Sequence, residues 1–472
     1  MAKQLTEEQI QEQKQYVQGL LVRSRAAMCA IKDYDQAQVD RLCQAIGWAT
    51  ANEKTFTRLA DMSIAESGLG DPTTRYGKRF KIYGILRDVL RQKSTGIIEE
   101  IPEKGLVKYA KPVGVIASLV PVTNAALTEA GTGIFAIKCK NATIFSPHPA
   151  SKNTTIETVR IMRDVLKKMG APEDLFICIE KPSIPLAHEL MSACDLTIAT
   201  GGPAMVKAAY SSGKPAYGVG AGNATMLIDE TADVADAARN TRISKISDNG
   251  SGCSSDGNLV VDASIYDAFL SKLQEEGGYL VTDEQKSMLQ NVMWDAERHR
   301  TSPTIARPAA KMAELAGFKI PEGKKFLIVK EDKIGKEYPF SSEKLSPVLA
   351  IFKYSGFEHG LDMISRIYRV GGRGHSVGIY SFDDDHIDRL ARMAPVSRIM
   401  VRQPQSKANS GSFTNGMAMT SSMGCGIWGG NITNENVTLK HYMQTTWVSR
   451  PIPEDRPPDS EIFGEFYNTE TY

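Results

Sequence analysis

The stretch GVIASLVPVTN, residues 114–124, decides the fold class. Its first seven residues are an apolar run stopped by Pro121 and Asn124, short enough to be a strand buried on both faces. Runs of the same kind recur at 142–145, 175–179, 196–199 and 224–228. Helical spacing fills the gaps, at 125–136, 152–168, 184–192 and 203–211. This alternation predicts a largely parallel α/β sheet with helices on both faces. An open sheet of this kind leaves a nucleotide-sized crevice at the carboxyl ends of its strands.

The usual dinucleotide fingerprint is missing. GVGAGN at 218–223 and GGRGHSVG at 371–378 are glycine-rich, yet neither is GxGxxG nor a Walker loop. TGGPAMV at 200–206 joins a strand end to a helix start, which suits either a phosphate cradle or a plain tight turn.

Upstream, Thr6 and Gln9 form a capping box for a helix running towards Ala30. A second helical pattern from Val39 to Met62 stops at Gly68 and Gly70, and residues 78–92 read as a helix. GIIEEIPEKGLVKYAK, from Gly96, reads as a two-stranded ribbon. Downstream of Asp233, a helix leads to a loop around Cys253, and apolar runs at 325–329, 348–352 and 376–380 predict a second α/β unit. TTWVSR, at 445–450, suits an edge strand, and the Pro-rich charged tail suits wrapping over another surface. The expected organisation is a cofactor-binding domain over 1–95 and 113–230 and a catalytic domain over 231–440. An oligomerisation ribbon and tail at 96–112 and 441–472 complete it.

The chain has 472 residues, 42% hydrophobic and 24% charged, with a formal charge of +1. That balance argues against a nucleic-acid surface or polybasic membrane contact as the main role. Seven cysteines without a CxxC pair, and histidines without ligand spacing, predict neither a metal site nor a disulfide framework. MAKQLTEEQ does not resemble a secretory leader and no apolar run reads as a membrane span, so a cytoplasmic enzyme is expected.

Cys253 lies in SKISDNGSGCSSDGN, residues 244–258. A lone cysteine is commonly a small buried hydrophobe. This one is flanked by small polar residues and backbone amides able to stabilise a thiolate or an oxyanion, which suits a nucleophile.

Taken in order, GVIASLVPVTN, NATIFSPHPASK (141–152), ATGGPAMV (199–206), the Cys253 loop, EKLSPVLA (343–350) and GRGHSVGIY (372–380) resemble the aldehyde dehydrogenase superfamily. The resemblance is closest to its CoA-acylating branch and covers nearly the whole chain. It implies two Rossmann-like α/β domains, a small oligomerisation ribbon, and a cofactor fold without GxGxxG. It also implies Cys253 as the thiolate nucleophile, with Asn124 and the Cys253 backbone N–H holding the oxyanion. Pro121, Thr123, Ser146, His148, Pro149, Gly201, Gly202, Val206, Gly220, Glu343 and Leu345 are the cofactor-binding residues it implies, with Glu343 on the nicotinamide ribose. NAD and NADP stay equally open; His148, Ser151 and Lys152 would tolerate a 2'-phosphate or simply cap the next helix.

Hydrolytic members of the family carry a glutamate in an ELGGK-like segment, and the corresponding YGVGAGN, 217–223, has no carboxylate. Water then lacks a general base. A thiol needs less help, so coenzyme A is the expected acyl acceptor. The expected partners are a small aldehyde, coenzyme A and further copies of the chain, as a homodimer or homotetramer. Within the branch the tail WVSRPIPEDRPPDSEIFGEFYN looks similar to that of members acting on sulfoacetaldehyde. A sulfonate calls for a cation with hydroxyl or amide donors. Arg402 in RIMVRQP, with Asn409, Ser410, Ser412 and Asn415, is the candidate, and Arg242, Lys245 and Arg373 are lesser ones. The same residues equally suit a solvated loop. Acetaldehyde or another short aldehyde, and a hydrolytic reaction, are the alternatives.

Overall fold

A computed structural model of the chain describes residues 6–467. The first five residues of the expected cofactor domain, where the leader was sought, and the last five of the expected tail lie outside the described residues.

Three sheets organise the chain. The first is five-stranded and parallel, in the order Phe176–Cys178, Ala142–Pro147, Val115–Val120, Leu196–Thr200, Ala216–Val219. Val115–Val120 and Ala142–Pro147 are buried at every position, as expected for continuous apolar runs between two helical layers. Helix Leu127–Lys138 is buried all round, and its apolar sequence fits a place against Gln36–Ala51 and Arg79–Leu90. The long helical pattern from Val39 is two helices. Asn52 ends one, donating from Nδ2 to Trp48 O at 2.8 Å, and caps Glu53–Ser67, accepting from Thr55 N at 3.0 Å.

The second sheet has seven parallel strands: Gly278–Leu280, Phe326–Lys330, Val348–Tyr354, Asn258–Asp262, Thr225–Ile228, Val377–Tyr380 and Ile399–Val401. Here the structure corrects the domain boundary expected at 230. Thr225–Ile228, counted with the first sheet, lies inside the second, between Asn258–Asp262 and Val377–Tyr380. Its expected place is taken by Ala216–Val219, a four-residue strand that the sequence reading missed. Residues 220–224 therefore cross from one sheet to the other.

That crossing positions the site. Thr225 pairs with both Asn258 and Val377, and Ala350 pairs with Asn258. The loops entering these four strands, which carry Gly222, Cys253, His375 and Glu343, thus meet at the amino ends of the second sheet. They face the crevice at the carboxyl ends of the first.

The third sheet is the predicted ribbon. Ile97–Ile101 and Leu106–Pro112 pair antiparallel around Gly105, and Met443–Ser449 pairs along the whole of Leu106–Pro112. Met443–Ser449 is an edge strand, mostly exposed, with Lys108 Nζ over the Trp447 ring. The tail beyond it runs without regular structure to the exposed helix Asp459–Phe463. Among the described residues no helix is long and apolar enough to cross a membrane.

Candidate active site

Helix Val234–Ile246 ends in a sharp reversal, with Asp248, Asn249 and Gly250 at φ of 52°, 53° and 68°. Left-handed backbone is costly for a residue with a side chain, so something must hold Asp248 there. Its carboxylate accepts from Arg75 Nη2 at 2.8 Å, Lys78 Nζ at 2.8 Å and the Asp71 amide at 3.0 Å. Gly250 is required by space as well as by φ, since a Cβ would fall 2.5 Å from Ser346 O. The loop so fixed presents Cys253 to a cleft of 1010 Å³.

His375, buried and absent from the expected site residues, stands with Nε2 3.2 Å from Cys253 Sγ. A hydrogen-bond chain behind it assigns its tautomer. Gln405 Nε2 donates to Asp256 Oδ1 at 2.6 Å and Thr225 O at 3.0 Å, so Gln405 Oε1 is the acceptor for Ser376 Oγ at 3.1 Å. With its single proton spent there, Ser376 Oγ accepts from Asn409 Nδ2 at 3.0 Å and from His375 Nδ1 at 2.9 Å. His375 therefore carries its proton on Nδ1 and turns a lone pair on Nε2 towards the thiol. Burial, helped by the Arg398 charge, pushes the imidazole down to about 3, so it rests neutral.

Burial, with the nearby Glu343 carboxylate, pushes the Cys253 thiol up to about 12, against the opposing pull of Arg398. At rest the sulfur holds its proton, and attack on a carbonyl requires that proton to leave.

Asn124 lines the same cleft. Its Oδ1 accepts from Lys78 Nζ at 2.6 Å, and Lys78 is itself anchored on Asp248. Among the described residues its Nδ2 donates no hydrogen bond, which leaves that amide for an oxyanion.

The other end of the cleft lies along the first sheet. Pro121, Thr123, Ser146, His148, Pro149, Gly201, Gly202, Gly220, Glu343 and Leu345 all line it. Val206 does not: its side chain is buried against Gly218, where a glycine Cβ would come within 2.9 Å of it. Helix Pro203–Tyr210 begins here on Gly202 with no side-chain cap, and a Cβ at Gly202 would meet nothing within 4 Å. A helix start facing open space at the carboxyl end of a strand suits a pyrophosphate, so these residues fit a nicotinamide dinucleotide. Glu343 accepts from Gly222 N at 3.0 Å, and burial raises it to about 7.

The expected substrate residues are placed elsewhere. Arg402, at φ 49°, donates to Ser381 O and lies over the Phe382 ring, away from the cleft. Asn415 spends its amide on Gln403 Oε1 at 2.9 Å and Ala408 O at 3.2 Å, and its oxygen on Ser412 N and Met417 N at 3.1 Å each. Asn409 is buried on Ser376, and Arg242 is tied to Glu276. Ser410 and Ser412 do line the cleft, beside Lys78, Lys81 and Lys407, three cations that the sequence reading did not single out.

Residues 24–448 match the aldehyde dehydrogenase family. A sulfoacetaldehyde dehydrogenase of an Acholeplasma species is 45% identical over 94% of this chain and 93% of its own length. An acylating sulfoacetaldehyde dehydrogenase of Bilophila wadsworthia is 40% identical over 94% of this chain and 97% of its own. The crystal structure of an acetylating aldehyde dehydrogenase from Geobacillus thermoglucosidasius superposes with a TM-score of 0.92 at 34% identity, covering 96% of this chain and all of that one. A family match over most of its length, and relatives this similar end to end, show that the chain belongs to the aldehyde dehydrogenase family.

Proposed function

We propose that this protein is a CoA-acylating dehydrogenase of sulfoacetaldehyde, converting aldehyde, coenzyme A and NAD(P)+ reversibly to sulfoacetyl-CoA, NAD(P)H and a proton. Cys253 Sγ attacks the aldehyde carbon as its proton passes to His375 Nε2. Asn124 Nδ2 and the Cys253 N–H hold the oxyanion of the resulting thiohemiacetal. When bound in the crevice, the nicotinamide supplies the acceptor for the hydride expelled as that adduct collapses. Cys253 is left as a thioester. His375, having lost its proton to solvent, stands beside the sulfur where the coenzyme A thiol must arrive; it takes that thiol's proton as the coenzyme A sulfur attacks the acyl carbon, and returns it to Cys253 Sγ as the bond to the enzyme breaks.

The observation that carries the acylating reading is the state of the cleft's carboxylates. Among the described residues only Asp248 and Glu343 line it; the first is locked between two cations and the second has one oxygen on Gly222 N. That leaves His375 as the base beside the thioester, and a neutral imidazole takes a proton from a thiol far more readily than from water. The names of the Acholeplasma and B. wadsworthia relatives support the substrate, and Arg402 and Asn415 are not part of its pocket.

The same reading assigns cofactor binding to 6–95 and 113–219, catalysis to 225–440, and subunit contact to the ribbon and tail, in a cytoplasmic homodimer or homotetramer. The exposed edge strand Met443–Ser449 supports that assembly. His148 and Lys152 leave NAD and NADP both admissible.

NAD(P)H formation is measured with an aldehyde panel, with and without coenzyme A, in the wild type and Cys253→Ala. Dependence on coenzyme A and loss of turnover in the variant are expected. Equal turnover without coenzyme A would mean a hydrolytic enzyme, and a preference for acetaldehyde would remove the proposed substrate.

A further inference from the structure

The aldehyde end of the cleft carries more positive charge than its carboxylates neutralise. Lys78, on Asn124, begins the cluster. Lys81 follows three residues later, on the same face of helix Arg79–Leu90. Lys407 approaches from the opposite wall, donating to Ser247 Oγ at 2.9 Å, one residue before Asp248. Asp248 is shared by Arg75 and Lys78. Among the described residues, neither Lys81 nor Lys407 lies within ion-pairing distance of a carboxylate. Asp88 acts on Lys81 only at longer range and is paired with Arg87 at 2.7 Å.

Lys81 has a structural task too. It donates to the carbonyls of Ser410, at 3.1 Å, and Gly411, tying the loop above it. Carbonyls satisfy donors without cancelling the charge, and a half-buried unpaired ammonium is costly. Burial, with repulsion from Lys407, pulls Lys81 down to about 7, and an anion bound beside it would favour its charged form.

We propose that Lys81 and Lys407 form an anion subsite whose ligand is the sulfonate of the aldehyde substrate. The inference rests on the function proposed above. In sulfoacetaldehyde one methylene separates the aldehyde carbon from the sulfur, so with the carbonyl oxygen on Asn124 the sulfonate must lie within a few bonds of the Lys78 cluster. Its three acceptor oxygens match two ammonium groups and the hydroxyl hydrogen of Ser247, whose oxygen Lys407 already occupies. The Gly202 end of the cleft would hold the phosphates of the dinucleotide.

The test compares kcat/KM for sulfoacetaldehyde and for propionaldehyde, uncharged and of similar length, in the wild type, Lys81→Met, Lys407→Met and Lys81→Arg. The sulfoacetaldehyde-to-propionaldehyde ratio is expected to fall about 30-fold in each Met variant and to be partly restored in Lys81→Arg. Both substrates falling together, with the ratio unmoved, would overturn the subsite and leave the lysines as loop ties. Ethanesulfonate, which cannot react, is the second probe: competitive inhibition of propionaldehyde oxidation is expected in the wild type and lost in the Met variants. A wild type that prefers propionaldehyde yet is inhibited by ethanesulfonate through these lysines keeps the subsite and removes the proposed substrate. One that turns over sulfoacetaldehyde with an unmoved ratio does the reverse.

Discussion

Gly222 packs so closely on the nucleophile's loop that a Cβ there would stand 2.0 Å from Cys253 O. The obstacle is backbone, which cannot rotate away. Gly222 N also anchors Glu343 at 3.0 Å, so this one glycine fixes the cysteine and the carboxylate relative to each other. Gly222→Ala is expected to cost about 1–3 kcal/mol of stability through overpacking. Turnover should fall by on the order of 100-fold, because a displacement near 1 Å at the sulfur spoils the attack geometry. Thermal unfolding and kcat, measured together, check this; an unperturbed kcat would show that the loop shifts without consequence.

The chain Asp256, Gln405, Ser376, His375 ends on Cys253 and sets which imidazole nitrogen faces it. His375→Ala should lower the rate of the first NAD(P)H burst by about 10² to 10⁴, the range for losing a general base. Ser376→Ala should cost less, about tenfold, and mainly in kcat, because the base remains but its tautomer is no longer held. Rapid-mixing traces of the burst separate the two. A Ser376→Ala burst as fast as wild type would mean that the tautomer needs no partner.

Cys253 is half-buried and lies near Glu343, and both effects favour the protonated thiol. With the thiol raised to about 12, the thiolate fraction keeps climbing tenfold per pH unit through pH 9. Alkylation by iodoacetamide in the absence of cofactor should therefore be slow at pH 7 and show no plateau by pH 9.5. Glu343→Gln removes the negative charge, lowers the thiol pKa and should speed alkylation about 3-fold or more. The same variant should weaken cofactor binding if its carboxylate meets the ribose. Faster alkylation with weaker binding is an opposed pair of changes that simple misfolding would not produce.

The sequence showed the first sheet well for a physical reason: Val115–Val120 and Ala142–Pro147 are buried on both faces, and such strands leave unbroken apolar runs. Ala216–Val219 left no such run, being four residues long with Gly218 inside, and the count passed over it to Thr225. The Cys253 loop was readable because its backbone requires Gly250. His375 was not. It reaches Cys253 only because Val377–Tyr380 and Asn258–Asp262 flank Thr225–Ile228, a long-range register that no local pattern encodes. The donors after Arg402 were chosen by composition, but composition does not say which way a side chain turns. Asn409 and Asn415 turn inward to hold the loop, while Lys81, in a helix hundreds of residues upstream, turns into the cleft.

Asp248 offers a pH-dependent test of the scaffold beneath the oxyanion amide. Burial alone would raise its pKa, but Lys78 and Arg75 overcome that and hold the carboxyl well below the usual carboxylate range. The folded state therefore binds its proton less readily than the unfolded chain. The stabilisation is fully present above the unfolded value of about 3.9 and is lost as pH falls below it. Asp248→Asn leaves Arg75 and Lys78 without their counter-charge, which at pH 7 should cost about 3–5 kcal/mol. Lys78 would also lose its anchor and release Asn124, so kcat should fall even at temperatures where the variant stays folded. Chemical denaturation of wild type and variant from pH 7 to pH 3 checks the sign: the difference in stability should shrink as pH drops below about 4. A gap of constant width across that range would show that Asp248 is not the group coupling the reversed loop to its two cations.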